Sequence, residues 1–352
     1  MLTILTAVLV SLAPLQGQTD TTFAVPAGVS LSVNNFGGAI VVHGWNQNRV
    51  KVHAEHGSRG RIEVSLVGST VMVKASSRQG APSVVDFDIT VPQAMALTLA
   101  GTYAEITVDG MQGPISAETV EGAIEVRGGS GIITLHSIQG TVTLADATGR
   151  IDVNSVNEEI KLSNVSGQIK AETTNGDVTL TGVKSASVEA ATINGSVVYE
   201  GTITDGGTYV FNSHNGDMIV SIPEGANVTV SIATANGDID PSFPLPLTAT
   251  HGKRRYTFKL GSGSARMEVE SFQGDIKLRR PEEIRDRMQH RNKNNNHNEH
   301  DDSFDFHFDS NGVGAGVGVR DYAAKYAREY APKYAAKYAR QYARAYARTY
   351  SH

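Results

Sequence analysis

From residue 113 to residue 180 the apolar positions return every nine residues. Glycine stands at 113, 122, 131, 140 and 149, gives way to Glu158, and returns at 167 and 176. Two positions after each come Ile115, Ile124, Ile133, Val142, Ile151, Ile160, Ile169 and Val178. Two further on come Ala117, Val126, Leu135, Leu144, Val153, Leu162, Ala171 and Leu180. The residues between them are mostly polar: Glu125, Thr134, Thr143, Asp152, Lys161, Lys170 and Thr179. Alternation at period two predicts a short strand with one dry and one wet face, and four residues remain in each unit to turn the chain.

Strand–turn units of this length also suit an antiparallel meander or sandwich. A slower period decides between the two. Six positions after each glycine, Thr119, Ser137, Ser155 and Thr173 form one class, and Gly128, Asp146, Asn164 and Gly182 the other. Only the second class tolerates left-handed backbone angles readily. Two kinds of corner therefore alternate, and the true repeat is eighteen residues with two strands. That describes one coil of a parallel solenoid, with like residues stacked in columns and each fully buried Ile or Val contributing ~1.5–3 kcal/mol. Asn194-Gly195, Asn215-Gly216, Asn236-Gly237 and Gln273-Gly274 continue the pattern, the first three at a spacing of 21. The fold expected is all-β: a parallel β-solenoid or β-roll of about 18–21 residues per coil.

The flanks read differently. Val50-Lys51-Val52, Ile62 to Leu66 and Val71-Met72-Val73 alternate like strands but lack the nine-residue period. They predict an antiparallel N-terminal cap region over 18–100, which covers the open end of the stack. Leu2 to Leu12 is an apolar run ended by Pro14 and polar residues, with the length of a signal-peptide core and too short to span a bilayer. Residues 1–17 are read as a signal peptide, with an N-terminal core strand as the alternative. The solenoid is assigned to 101–280, a polar Asn/His/Asp/Gly-rich linker to 281–320, and a low-complexity C-terminal tail to 321–352.

The ordered blocks Val42-His43-Gly44-Trp45-Asn46, Val50-Lys51-Val52 and Phe87-Asp88-Ile89-Thr90-Val91-Pro92, followed by tandem Val-x-Gly-x-Ile units, resemble the bacterial putative-adhesin β-strand-repeat family over roughly residues 23–280. The resemblance implies an exported or envelope-associated β-repeat protein. It implies no catalytic residue and no defined ligand, and it does not reach the tail.

Composition narrows the chemistry. There is no cysteine, which removes disulfides, thiolate metal sites and a lipid-bearing cysteine. No P-loop, H-E-x-x-H or G-x-S-x-G motif is present. Asp177, Asp217, Asp238 and Asp275 follow turn glycines, but each unit has one glycine where a calcium-binding nonapeptide has several, so they read as turn residues rather than calcium ligands. Asp152 and Glu159, expected to project outward on adjoining strands with Glu158 and Glu172 near, are the carboxylates from which a carbohydrate-active β-helix enzyme would be built. Lys161 and Lys170 beside them fit ordinary ion pairing equally well. His290, His297, His300 and His307 among aspartates suit weak metal binding or a polar linker. Phe304, Phe306 and Phe308 alternate as a strand that could add to a sheet edge. No catalytic residue, cofactor or metal site is assigned.

Charge is unevenly placed. The formal net charge is −5, while residues 320–352 hold eight Lys/Arg against Asp321 and Glu329, a net of +6, which leaves −11 on the remainder. Tyrosine recurs every four residues from 322 to 350. A period of four drifts by ~40° per step around a helix of 3.6 residues per turn, and Pro332 interrupts it, so a marginal helix is expected. Lys325, Arg328, Lys333, Lys337, Arg340, Arg344 and Arg348, with Tyr326, Tyr334, Tyr338, Tyr342 and Tyr346, form the candidate polyanion-binding set. The partner expected is an anionic cell-surface polymer or envelope protein, with nucleic acid the weakest of the polyanions. Docking onto the chain's own acidic body and a repeat without a ligand are the alternatives. The sequence thus predicts a non-catalytic exported protein of periplasm, cell surface or medium, adhesin-like, with no transmembrane span in the mature chain. A self-assembling envelope scaffold and a carbohydrate-active enzyme are the competing readings.

Overall fold

The computed structural model describes residues 16–57, 60–77, 84–245, 248–249 and 255–286. Strand dominates them, and they fall into two compact units, Met1–Gly167 and Gln168–His352. All but the last two positions of the expected signal peptide, the linker beyond residue 286, and the whole tail lie outside the described residues.

The first unit begins with β1 (Gln16–Ala24), β2 (Ser30–Trp45), β3 (Arg49–Gly57), β4 (Gly60–Val67), β5 (Thr70–Ser77) and β6 (Val85–Pro92). Antiparallel pairs are found at this end: β1 with β3, β3 with β6, and β4 with β5. They flank β2, which already behaves as a coil. Its residues Ser30–Asn34 pair in parallel with β5, and Ile40–Trp45 in parallel with β6. β7 (Ala96–Met111) has the same shape and runs parallel to β2 along most of its length.

The nine-residue repeat then builds β8 (Ile115–Glu121), β9 (Ile124–Gly128), β10 (Ser130–Gln139), β11 (Val142–Ala145), β12 (Thr148–Asn154) and β13 (Ile160–Ser163). Successive strands take opposite sides of the coil. Ile115, Ile133 and Ile151 stand in register across β8, β10 and β12. Ile124, Val142 and Ile160 do so across β9, β11 and β13. Partners are 18 residues apart and all pairings are parallel, so the coil inferred from the alternating corners is the coil that forms. None of these six side chains is more than 2% exposed.

The two corner classes separate for physical reasons. Gly128, Asp146 and Asn164 have φ of 92°, 57° and 53°. Thr119, Ser137 and Ser155 are instead buried, and two of them cap the coil before: Thr119 Oγ1 donates to Ala104 O (3.0 Å) and Ser137 Oγ to Gly122 O (3.3 Å). The glycines answer to crowding. A Cβ on Gly140 would lie 1.9 Å from Gly122 O, and one on Gly149 2.1 Å from Gly131 O. Where glycine is replaced by Glu158, the hydroxyl three positions earlier, Ser155 Oγ, has no hydrogen-bond partner.

β14 (Ser166–Glu172) contains the division between the units. The second unit continues with β15 (Val178–Asn194), β16 (Val197–Gly201), β17 (Thr208–Asn215), β18 (Met218–Ser221), β19 (Val228–Thr234), β20 (Ile239–Pro241), β21 (Thr248–Ala249), β22 (Arg255–Leu260), β23 (Ala265–Gln273) and β24 (Ile276–Arg279). Coils here step by 19 residues from Val178 to Val197 and then by 21, as in Val197 opposite Met218 and Val188 opposite Tyr209. The wider coil accommodates aromatic rings in its core. Tyr199 and Phe211 pack 4.9 Å apart, and the Tyr199 and Tyr209 hydroxyls donate to Thr202 O and Ser185 O. Burial holds the Tyr199 hydroxyl well above the ordinary phenol pKa.

Stack order departs from chain order in this unit. β23 lies between β17 and β19, and β24 between β18 and β20. The reason is edge protection. β22 turns back antiparallel on the outer side of β19, while β20 is three residues long and ends at Pro241, which has no N–H to offer. The last two strands of the chain, β23 and β24, are therefore paired on both sides. Residues 281–286 form a short helix in which Ile284 is buried, and Arg285 reaches back to the buried Glu200 carboxylate at 2.9 and 2.6 Å.

Gly140→Ala is expected to lower unfolding free energy by about 2 kcal/mol or more, because the obstacle is backbone rather than a movable side chain. Gly57→Ala, where an added Cβ meets nothing within 4 Å, is expected to change it by less than about 0.5 kcal/mol. Denaturant midpoints for the two variants measure the difference.

Candidate binding surfaces

Each coil side in the first unit presents a flat outward ladder, and the two ladders differ. On the side of β5, β2, β7, β8, β10 and β12, one row reads Met72, Ser32, Thr98, Ser116, Thr134 and Asp152. It is largely neutral hydroxyl. On the other side, the row across β1, β3, β6, β2, β7, β9, β11 and β13 reads Asp20, His53, Asp88, Val41, Thr107, Glu125, Thr143 and Lys161. This row carries three carboxylates against one lysine and one histidine.

His53 is the most perturbed group on that face. Its Nδ1 stands 2.8 Å from Asp20 Oδ1 and its Nε2 3.5 Å from Glu55 Oε1. The hydrogen bond with Asp20 is the largest influence, and with Glu55 it outweighs the opposing effect of desolvation, so the imidazole pKa lies above the ordinary 6.5.

The carboxylate pair singled out in the sequence is not brought together. Asp152 lies on β12, in the side built with β10, whereas Glu159 leads into β13, in the side built with β11. Strands nine residues apart occupy opposite sides of an eighteen-residue coil, so the expectation of adjoining strands is corrected. Asp152 instead accepts from Asn154 Nδ2 (2.7 Å), and Glu159 pairs with Lys161. In the second unit, Lys170 lies 3.0 Å from Glu172 and 3.6 Å from Glu189.

The turn aspartates have a structural use. Asp177 Oδ1 accepts from Ser196 N (2.8 Å), Asp217 Oδ1 from Asp275 N (2.9 Å) and Asp275 Oδ1 from Asp238 N (3.0 Å), each across neighbouring coils. Their carboxylates hold the next turn rather than converge on an ion. Among the described residues no group of three or more His, Asp or Glu is placed to hold a metal. An asparagine ladder runs beside them, Asn194 Nδ2 donating to Asn175 Oδ1 and Asn215 Nδ2 to Asn194 Oδ1, at 2.7 and 2.8 Å.

One feature sequence reasoning missed is an exposed aromatic corner in the first unit. Phe36 and Tyr103 meet edge to face with centroids 5.3 Å apart, and Val84 is 62% exposed beside Gly37. The signal is faint: Phe36 precedes a Gly-Gly corner and Tyr103 stands at the matching point of β7. The candidate polyanion-binding tail, from Lys325 to Arg348, lies outside the described residues, as do His290 to His307 and Phe304 to Phe308.

A family model described as Toastrack DUF4097 matches residues 29–279. A comparison with curated proteins gives no match. Among solved structures, a putative cell adhesion protein from Clostridium sporogenes is similar at 12% identity and a TM-score of 0.21, over 75% of this chain and all of that one. A putative adhesin from Parabacteroides distasonis is similar at 9% identity and a TM-score of 0.22, over 75% of this chain and 97% of that one. Likeness at that level carries no functional argument.

The His53 geometry yields a pH prediction. A pKa raised on folding gives a stabilising contribution that is fully present below the unfolded value near 6.5 and is lost as pH rises through the folded value. Asp20→Asn is expected to move the His53 titration, followed by NMR of the ring protons, back down towards 6.5.

Proposed function

Because this chain belongs to the Toastrack DUF4097 family, whose function is not known, we propose a role at the level of the envelope: an exported, non-catalytic, adhesin-like surface-binding module. In this reading the β-body is a scaffold that presents flat polar ladders, and the basic tyrosine-rich tail makes contact with an anionic surface polymer. The apolar run Leu2 to Leu12 supports export to periplasm, cell surface or medium. No helix among the described residues is long and apolar enough to cross a membrane. The local engagement of Asp152, Glu159 and the turn aspartates supports a non-catalytic body.

The observation that carries the proposal is the segregation of charge. Eight Lys/Arg and eight Tyr stand within residues 320–352, and the rest of the chain carries −11. Such a tail is drawn to polyanions by long-range attraction and adds ring contacts at short range. Nucleic acid is the weakest candidate for an exported protein.

Deleting residues 320–352 is expected to weaken retention on an immobilised anionic polysaccharide by about tenfold or more at low salt, and the difference should shrink as salt screens the charges. Equal binding with and without the tail, across a salt series read by surface plasmon resonance, would contradict the proposal.

A further inference from the structure

The aliphatic rows of the first unit do not end where its parallel coils end. Leu97, Leu31 and Val71 stand in one row across β7, β2 and β5, and Leu99, Val33 and Val73 in the next, all at most 2% exposed. β4 adds one strand more, with Leu66 opposite Val71, Val64 opposite Val73 and Ile62 opposite Ala75. Among the described residues β4 pairs only with β5, so its second edge is free. Leu66 is 50% exposed and Val67 59%.

The other edge at this end is finished in polar residues. There β1 sets Thr19 opposite Ala54 and Thr21 opposite Val52, and its outward Asp20 pairs with His53. β4 has no such termination. Its sequence, Gly-Arg-Ile-Glu-Val-Ser-Leu-Val, contains neither the lysine nor the proline that commonly blunts an edge strand.

We propose that β4 is an interaction edge and that its partner is a second copy of this chain, added antiparallel about a two-fold axis at Val64. A free strand edge offers a row of main-chain donors and acceptors, so what fits it is another strand. The side chains select the copy and the register. With Val64 opposite Val64 of the second copy, Ile62 faces Leu66 and Leu66 faces Ile62, so that six aliphatic side chains meet in three rows, two of which extend the core rows that end at Val71 and Val73. On the outward face Glu63 then faces Ser65 and Arg61 faces Val67, so no like charges are directly opposed. Centring the axis on Glu63 would oppose two carboxylates, and centring it on Ile62 would set Val64 against Gly60. The contact is isologous and closes at two. One strand pair falls below the ~1,200 Å² of a standard interface, so the dimer is a weak, concentration-dependent one. The inference rests on β4 alone and does not depend on the tail.

Sedimentation velocity of the full chain from about 1 to 200 µM tests it, with dimerisation at the upper end expected. Leu66→Lys, at a half-exposed position, should weaken association at least tenfold while circular dichroism and the melting temperature show the fold retained. The chain has no cysteine, so Val64→Cys should give a disulfide-linked dimer on mild oxidation, and Thr21→Cys on the opposite edge should not. A wild-type monomer throughout, a dimer indifferent to Leu66→Lys, or equal cross-linking at both positions would overturn the proposal. A monomer that dimerises only once Phe306→Asp is introduced would assign the edge to residues 303–308 of the same chain, and would overturn it as well.

Discussion

The carbonyl oxygen of a turn glycine in one coil lies where a Cβ in the next coil would stand. Main-chain hydrogen bonds set neighbouring strands about 4.8 Å apart, and the corners must come as close as the strands do. At most of these corners an added Cβ would collide with the backbone of the coil before, as at Gly140 over Gly122 and Gly149 over Gly131 in the first unit, and Gly195 over Gly176 and Gly216 over Gly195 in the second. The same crowded carbonyls need donors, and buried hydroxyls three positions ahead of the turn glycine supply them. Ser137 serves Gly122, Thr192 serves Gly176, Ser213 serves Gly195 and Ser271 serves Gly216. At the turn where Glu158 stands in place of glycine, the buried Ser155 hydroxyl has no hydrogen-bond partner.

That constraint explains how much of the fold could be read in advance. Gly-x-Ile at period nine and corners at period eighteen are direct consequences of stacking, so the coil, its parallel pairing and the two sides follow from spacing alone. The hydroxyl class at Thr119 and Ser137 was recognisable as one corner type, although its bond into the previous coil needs the stack itself to be visible. Stack order in the second unit was not legible. Asn194, Asn215 and Asn236 keep a spacing of 21, yet β23 and β24 stand between the second and third of these turns. Local pattern reports which face a side chain takes, not which coil comes next, and the choice is made by edges that only β22 and Pro241 resolve. For the same reason Asp152 and Glu159, near in sequence, lie on opposite sides.

Surface chemistry follows the columns as well. A residue type repeated at one position of the coil becomes a ladder in space, whether Ser32, Thr98, Ser116 and Thr134 or Asn175, Asn194 and Asn215. The turn aspartates use their oxygens on neighbouring amides. A body built this way is suited to presenting repeated flat faces, which agrees with a binding role for the proposed module. The features not dictated by stacking, namely the Phe36–Tyr103 corner, the free edge of β4 and the charged tail, are where specificity has room to reside.

The central claim is that neighbouring strands of one side are eighteen residues apart and parallel. Disulfide trapping in this cysteine-free chain tests it most directly. Ser116→Cys combined with Thr134→Cys places two outward side chains opposite each other on adjacent coils, and rapid intramolecular cross-linking without loss of fold is predicted. Thr134→Cys combined with Thr143→Cys, nine positions apart and on opposite sides, should remain reduced. Cross-linking of the second pair in preference to the first would contradict the account.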